Sequence, residues 1–206
     1  MAYCGSTRSR EFIARLQAAG VGECWTAGQD SWPPRRTPFV IDCGTFRHWR
    51  AGTEWNPAPF VAALAACVTE GRAPEWVVAP DLIARGADSL AFSLSWLPRI
   101  PWPAYLAVQD GMHERQVERV IHRFAGLFVG GTLAWKLRTA RRWVELAHRH
   151  GKPCHVGRVG IPKRVRWAQR IAADSVDSCQ PLWSRQNLDR WLAAFGSNPQ
   201  LSLGVA

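Results

Sequence analysis

No apolar run in the chain approaches the roughly 18 residues needed to span a bilayer. The first residues, MAYCGSTRSREF, lack the basic-then-apolar order of a secretory signal. A soluble, cytoplasmic protein is therefore expected. The six cysteines, at positions 4, 24, 43, 67, 154 and 179, are too far apart for CxxC or CxC. No zinc motif can be written, no metal or cofactor is implied, and a disulfide framework is not expected. The cysteines read as small buried apolar residues. No GxGxxG follows the first strand candidate, and no Ser sits in a nucleophile elbow. Acidic residues are scarce, 16 against 26 Lys and Arg, which leaves a formal net charge of +10.

That surplus favours polyanionic partners, nucleic acid first and an anionic membrane surface second. The chain is 206 residues long and 47 % hydrophobic, with 12 Trp and 8 Phe, enough for one domain with a sizeable core. Indole and guanidinium planes stack on nucleobases. Core packing is the plainer use of most of these Trp.

Short apolar runs ending in Gly, Asp or Ser alternate with stretches of helical period. Strands are expected at 2–5, 22–26, 38–42, 76–79, 104–108, 126–129, 153–156 and 175–178. Ser9 and Thr132 are placed to cap helices, as are Asn56, Asp88 and Asn187, while Gly20, Gly71 and Gly151 are placed to stop them. The 113–124 segment reads as a helix, 43–55 as a loop, and Pro162 opens a helix to 173. Alternation of this kind implies parallel strands with crossover helices. Eight units imply a compact α/β fold, a closed (β/α)8 TIM-like barrel in one domain over 1–196, with an irregular tail over 197–206. An open doubly wound sheet is the competing arrangement.

In such a barrel, ligand chemistry gathers at the C-terminal ends of the strands. There the sequence places Asp42, Asp81, Gln109 with Asp110, Gly130–Gly131, Arg158 and Asp177. A lone Asp is as readily a cap or turn residue, and Asp88 and Asp189 read that way. Several carboxylates on one rim repel one another and lose hydration, a cost that acid, base or nucleophile chemistry explains. His155, inside a strand, reads as a satisfied core or rim histidine rather than a ligand.

Six segments carry a more specific signal: FVIDCGTF (39–46), VVAPD (77–81), YLAVQDG (105–111), GLFVGGTL (126–133), HVGRVGIP (155–162) and ADSVDSC (173–179). In order, they resemble the D-S-G-x-F, V-Q-G, V/I-G-G-L, M-G-V-G-x-P and D-x-x-D-C elements and the carboxylate-bearing fourth strand of the tRNA-guanine transglycosylase superfamily. The zinc module of the tRNA enzymes is absent. The chain is in this respect more similar to the short, zinc-free branch, found in phages and bacterial DNA-modification clusters, that inserts 7-deazaguanines into DNA. The resemblance implies exchange of guanine in DNA for a free 7-deazaguanine base, preQ0 as first candidate, through a covalent glycosyl intermediate. It implies Asp177 as nucleophile, Asp42 as general acid/base, and Asp81 as acceptor for the base. Gln109 and the Gly131 N–H would donate to the base, with Gly130–Gly131 leaving room at its 7-position. A nucleotide flipped from the duplex, or a single strand, is then the expected substrate. Arg158, Lys163, Arg164 and Arg185, with Arg166 less certainly placed, would grip phosphates, and Trp32, Trp49 or Trp183 would stack or plug the gap. Either a homodimer or an accessory protein would open the strands. The same exchange on RNA, a barrel acting on phosphorylated small molecules, and an inert nucleic-acid-binding barrel are the alternatives.

Overall fold

Eight strands form and pair in chain order. They are β1 (Ala2–Gly5), β2 (Gly22–Thr26), β3 (Phe39–Asp42), β4 (Val77–Val78), β5 (Ala104–Val108), β6 (Gly126–Val129), β7 (Cys154–Val156) and β8 (Ser175–Ser178). Every pairing is parallel, and β1 bonds both β2 and β8, so the sheet closes on itself. The computed structural model describes residues 1–196; the tail expected to be irregular, 197–206, lies outside the described residues. The fold is a (β/α)8 barrel of the TIM type, wrapped by α1 (Arg10–Ala18), α2 (Thr45–Ala51), α3 (Ala58–Thr69), α4 (Gly86–Trp96), α5 (Glu114–Glu118), α6 (Leu133–Arg149), α7 (Pro162–Arg170) and α8 (Arg185–Ala193). No helix among the described residues is long and apolar enough to cross a membrane.

Local chemistry sets several boundaries where they were expected. Ser9 Oγ accepts the Phe12 N–H at the start of α1, and Thr132 Oγ1 accepts the Trp135 N–H at the start of α6. Other boundaries need correction. Ser184, not Asn187, caps α8, because Ser184 Oγ accepts the Asn187 N–H. Asn56 bonds the Ala58 N–H from one position further out, with Pro57 as the cap of α3. Asp88 lies inside the first turn of α4 and pairs with Arg85. The segment expected as a helix over 113–124 is α5 followed by a separate 3-10 turn at Ile121–Arg123. The β-branched Val120–Ile121 pair, stiff at χ1, sits at the break. Conversely, α2 forms inside an expected loop, launched from Gly44 at φ +82°, and no helix joins β2 to β3.

The barrel floor is aromatic. Tyr105 stacks on Trp76 at 4.4 Å, and Tyr3 meets Trp76 edge-on at 5.7 Å. Phe128 stacks on His155 at 4.9 Å. Strand glycines make these large rings fit. A Cβ on Gly22 would sit 2.6 Å from the Tyr3 ring, and one on Gly126 2.6 Å from that of Tyr105. Large and small residues thus alternate around the interior, and the packed floor leaves space open only above it.

Candidate functional site

A cavity of about 670 Å³ opens at the C-terminal ends of the strands, within the usual range for small-molecule sites. Asp42, Asp81, Asp177, Gln109, Gly130 and Gly131 all line it. The three carboxylates that lie 135 positions apart in sequence, from 42 to 177, therefore share one chamber.

Their surroundings differ, and so do their protonation tendencies. Asp42 ends β3, where its Oδ1 accepts the Gly44 N–H at 2.7 Å. Burial, reinforced by the nearby charges of Asp81 and Asp177, outweighs that bond and pushes the carboxyl up to about 7. Asp177, on β8, is held below the ordinary carboxylate range. Burial alone would raise it, but the hydrogen bond from His155, the nearby Lys136 amine and the Arg158 N–H together outweigh burial. His155 Nε2 lies 2.8 Å from Asp177 Oδ1, and its Nδ1 lies 2.8 Å from Ser175 Oγ. Burial holds the imidazole below its ordinary value. A neutral ring that donates Nε2–H to Asp177 and accepts the Ser175 hydroxyl satisfies every group in this chain. The strand register explains the contact: His155 is paired with Ser175, and Asp177 is the next inward-facing residue on β8. Gly157 keeps that corner open, since a Cβ there would stand 2.6 Å from the Phe128 ring and 3.2 Å from Asp177 Oδ1.

Asp81 is fully enclosed, and burial raises its carboxyl. Thr45 Oγ1 and Gln109 Nε2 donate to it, and the Cys43 thiol reaches it at 3.6 Å. This adds to the part expected of Gln109. One N–H of its amide is engaged by Asp81, and the acceptor Oε1 is buried without a partner. Gln109 thus keeps its second amide N–H for the donation expected of it and has, in addition, an acceptor to spare. Gly130 and Gly131 also separate in role. The Gly130 N–H bonds Val108 O at 3.1 Å, and a Cβ on Gly130 would fall 2.7 Å from Gln109 Nε2. Gly130 thus makes room for Gln109. The Gly131 N–H takes no protein acceptor among the described residues, in a backbone turned to φ +66°.

The four expected phosphate contacts scatter. Arg164 lines the cavity. Arg158 does too, but its guanidinium turns inward: it donates to Gly131 O and lies 4.0 Å over the Phe46 ring. It forms part of the wall and does not reach outward. Lys163 is exposed in the first turn of α7, outside the cavity lining. Arg185 is bound by Glu11 at 2.6 Å, also outside the lining, because the Ser184 cap directs the first turn of α8 toward α1. Among the candidate stacking residues, Trp183 is 68 % exposed on the rim and Trp49 48 % exposed on α2, whereas Trp32 packs against Trp25 and Phe39.

Sequence reasoning missed four contributors, Phe46, Arg47, Arg50 and Lys136, and left His155 as a satisfied core or rim histidine without naming Asp177 as its partner. Phe46, Arg47 and Arg50 fell in a supposed loop, yet all three line the cavity from α2. Lys136, buried on α6, donates to Gly157 O, and burial with the Arg158 charge holds its amine well below the ordinary value. The helical spacing of Lys136 with buried Thr139, Ala140 and Trp143 was the available clue that it faces inward. No group of three or more His, Cys, Asp or Glu suited to a metal occurs among the described residues. No protein-family model matches the chain, and no curated protein does.

Proposed function

We propose that the chain is a pentosyltransferase that exchanges guanine in DNA for a free 7-deazaguanine base, in the cytoplasm of a bacterial or phage-infected cell. The observation that carries this reading is the contrast between Asp177 and Asp42 on one cavity: one carboxyl held ionised, the other holding its proton up to about 7. Two carboxyl groups with opposite protonation are what a glycosidic double displacement needs.

Cleavage of the C1′–N9 bond builds positive charge on the sugar. Asp177 attacks C1′ as the purine leaves with the bonding electron pair, and Asp42 supplies the proton that neutralises the departing guanine. The incoming base loses a proton to Asp42 and displaces Asp177 from C1′, restoring the original anomer. His155 keeps the Asp177 carboxylate oriented and ionised throughout. The Gly131 N–H donates to O6 of the base, while Asp81 and the free Gln109 Oε1 accept from its N–H groups. Adenine would leave these polar groups unpaired, at about 1–3 kcal/mol each.

The test is incubation with duplex DNA, single-stranded DNA or tRNA and radiolabelled guanine, followed by nucleoside mass spectrometry with preQ0 supplied. Label entering DNA is expected. Label entering tRNA alone moves the substrate to RNA, and tight DNA binding without exchange leaves an inert binding barrel. Asp177→Ala is expected to abolish both exchange and the covalent adduct, and a variant that still turns over removes the nucleophile assignment.

A further inference from the structure

The net positive charge is concentrated in one stretch of the chain, although two of its basic residues, buried Lys136 and inward-turned Arg158, do not face outward. Residues 111–170 hold 14 of the 26 Lys and Arg but only three of the 16 Asp and Glu, leaving twelve basic against thirteen acidic residues elsewhere. This stretch builds α5, α6 and α7, three consecutive helices of the outer wall. Eleven of its fourteen cationic residues are arginine, the side chain whose planar fork fits phosphate oxygens two at a time.

Ion pairing follows the same division. Outside the stretch, Arg15 pairs with Asp189, Arg85 with Asp88 and Arg185 with Glu11. Within it, Arg142 and Arg149 lie 3.8 and 4.0 Å from the single Glu114. Arg138, Arg141, Arg166 and Arg170 are exposed and have no acidic partner among the described residues. Like charges gathered without counter-charges raise the energy of the folded chain. A polyanion docked on the wall relieves that repulsion.

Geometry ties the wall to the cavity. Each barrel helix starts at the strand ends that form the mouth and descends the outside. Arg164, in the first turn of α7, already lines the mouth, with Arg166 and Arg170 following down the same helix. The 17 residues of α6 cover about 25 Å, the rise of about seven nucleotides of one DNA strand. A bilayer would meet apolar groups spread over a flat face for insertion. Here the exposed Leu133 and Leu137 lie at the mouth end of α6, and guanidinium groups dominate the curved remainder.

We propose that the α5–α6–α7 wall is a docking track for duplex DNA that runs from the cavity mouth down one side of the barrel. The choice of DNA as occupant rests on the base-exchange reading, whereas the location of the track does not. It positions the duplex on one side of the mouth, so that the nucleotide entering the cavity comes from the end of the docked segment.

The test compares two fourfold variants of equal net charge. One carries Arg138, Arg141, Arg166 and Arg170 each changed to Glu. The other carries Arg8, Arg10, Arg99 and Arg190, exposed outside the stretch, each changed to Glu. Affinity for a duplex longer than the wall is measured over a range of salt concentrations, with circular dichroism to verify folding. The first variant is expected to lose at least tenfold in affinity and to reduce the log–log salt slope by about three to four, since each neutralised phosphate contributes about 0.9. The second is expected to change the slope by less than one such contact. Equal losses in both, no loss in the first, or binding to phosphatidylserine vesicles in preference to DNA would each overturn the track. Guanine exchange at saturating DNA is read alongside. Wild-type exchange with unchanged binding by the first variant removes the track alone; absent wild-type exchange with the expected slope change removes the base-exchange reading alone.

Discussion

At the scale of single residues, the site depends on what surrounds each carboxyl. Asp42 titrates near 7, above the about 3.9 of an unfolded aspartate. Between those values the folded chain binds the extra proton. The stabilisation from Asp42 is therefore complete below about pH 4 and lost as pH rises through 7. Urea unfolding at pH 5 and pH 8 is expected to show a fall in stability that Asp42→Asn flattens. The same titration limits the chemistry: single-turnover adduct formation is expected to decline above pH 7, where Asp42 no longer holds the proton for departing guanine. Asp177 carries the opposite sign. Its stabilisation is present above the unfolded carboxyl value and disappears as acid protonates it at a still lower pH. His155→Ala removes the 2.8 Å bond that orients Asp177. A hydrogen bond to a charged group is worth about 1.5–3 kcal/mol, so kcat is expected to fall about tenfold to a hundredfold. The acidic limb of the pH profile should also move up. An unchanged limb would mean that His155 only fills space.

At the scale of elements, glycine placement decides what each strand can carry. Gly22→Ala drives a methyl toward the Tyr3 ring at 2.6 Å and Pro38 O at 2.7 Å, and the carbonyl cannot rotate away. Thermal unfolding should report a loss of about 1–3 kcal/mol from overpacking. Gly52→Ala, at φ +65° with no atom within 4 Å, serves as the comparison. Only its left-handed backbone costs anything, about 1–2 kcal/mol. All eight strands could be read from sequence to within one residue at each end, because continuous apolar runs between turn residues are the mark of strands buried on both faces. The helix α2 could not be read. It begins at a left-handed glycine with no side-chain cap, and its TFRHWRA stretch lacks an apolar period, because one face lines an open cavity. The cap of α8 was misplaced because Ser184 and Asn187 both suit the position, and only the backbone shows that Ser184 accepts while Asn187 donates.

At the scale of the whole molecule, one buried ion pair ties the helix-free β2–β3 connection to the barrel. Glu23 on β2 accepts the Arg35 and Arg36 N–H groups at 2.9 Å each and the Ser6 hydroxyl at 2.5 Å. The Arg36 guanidinium, 1 % exposed, donates to Cys4 O and Gly5 O at the end of β1 and lies 3.8 Å from Glu23. Removing one partner strands the other charge in a low-dielectric setting. Glu23→Ala is therefore expected to cost about 3–5 kcal/mol in chemical denaturation, well beyond the loss of a surface pair. Nothing in the local sequence marked Glu23 or Arg36 as buried, since a charged residue in a short strand normally faces water. The same limit applies to the site. Periodicity and turn residues alone determined eight parallel strands with polar groups at their ends, because those signals act over a few neighbouring residues. Closure of the ring decided the rest: that residues 42, 81 and 177 share one chamber, that His155 bonds Asp177, and that Gln109 bonds Asp81 and leaves its oxygen unpartnered. Protonation and hydrogen-bond direction depend on which groups are brought within a few ångströms of one another, and only the tertiary structure sets those distances.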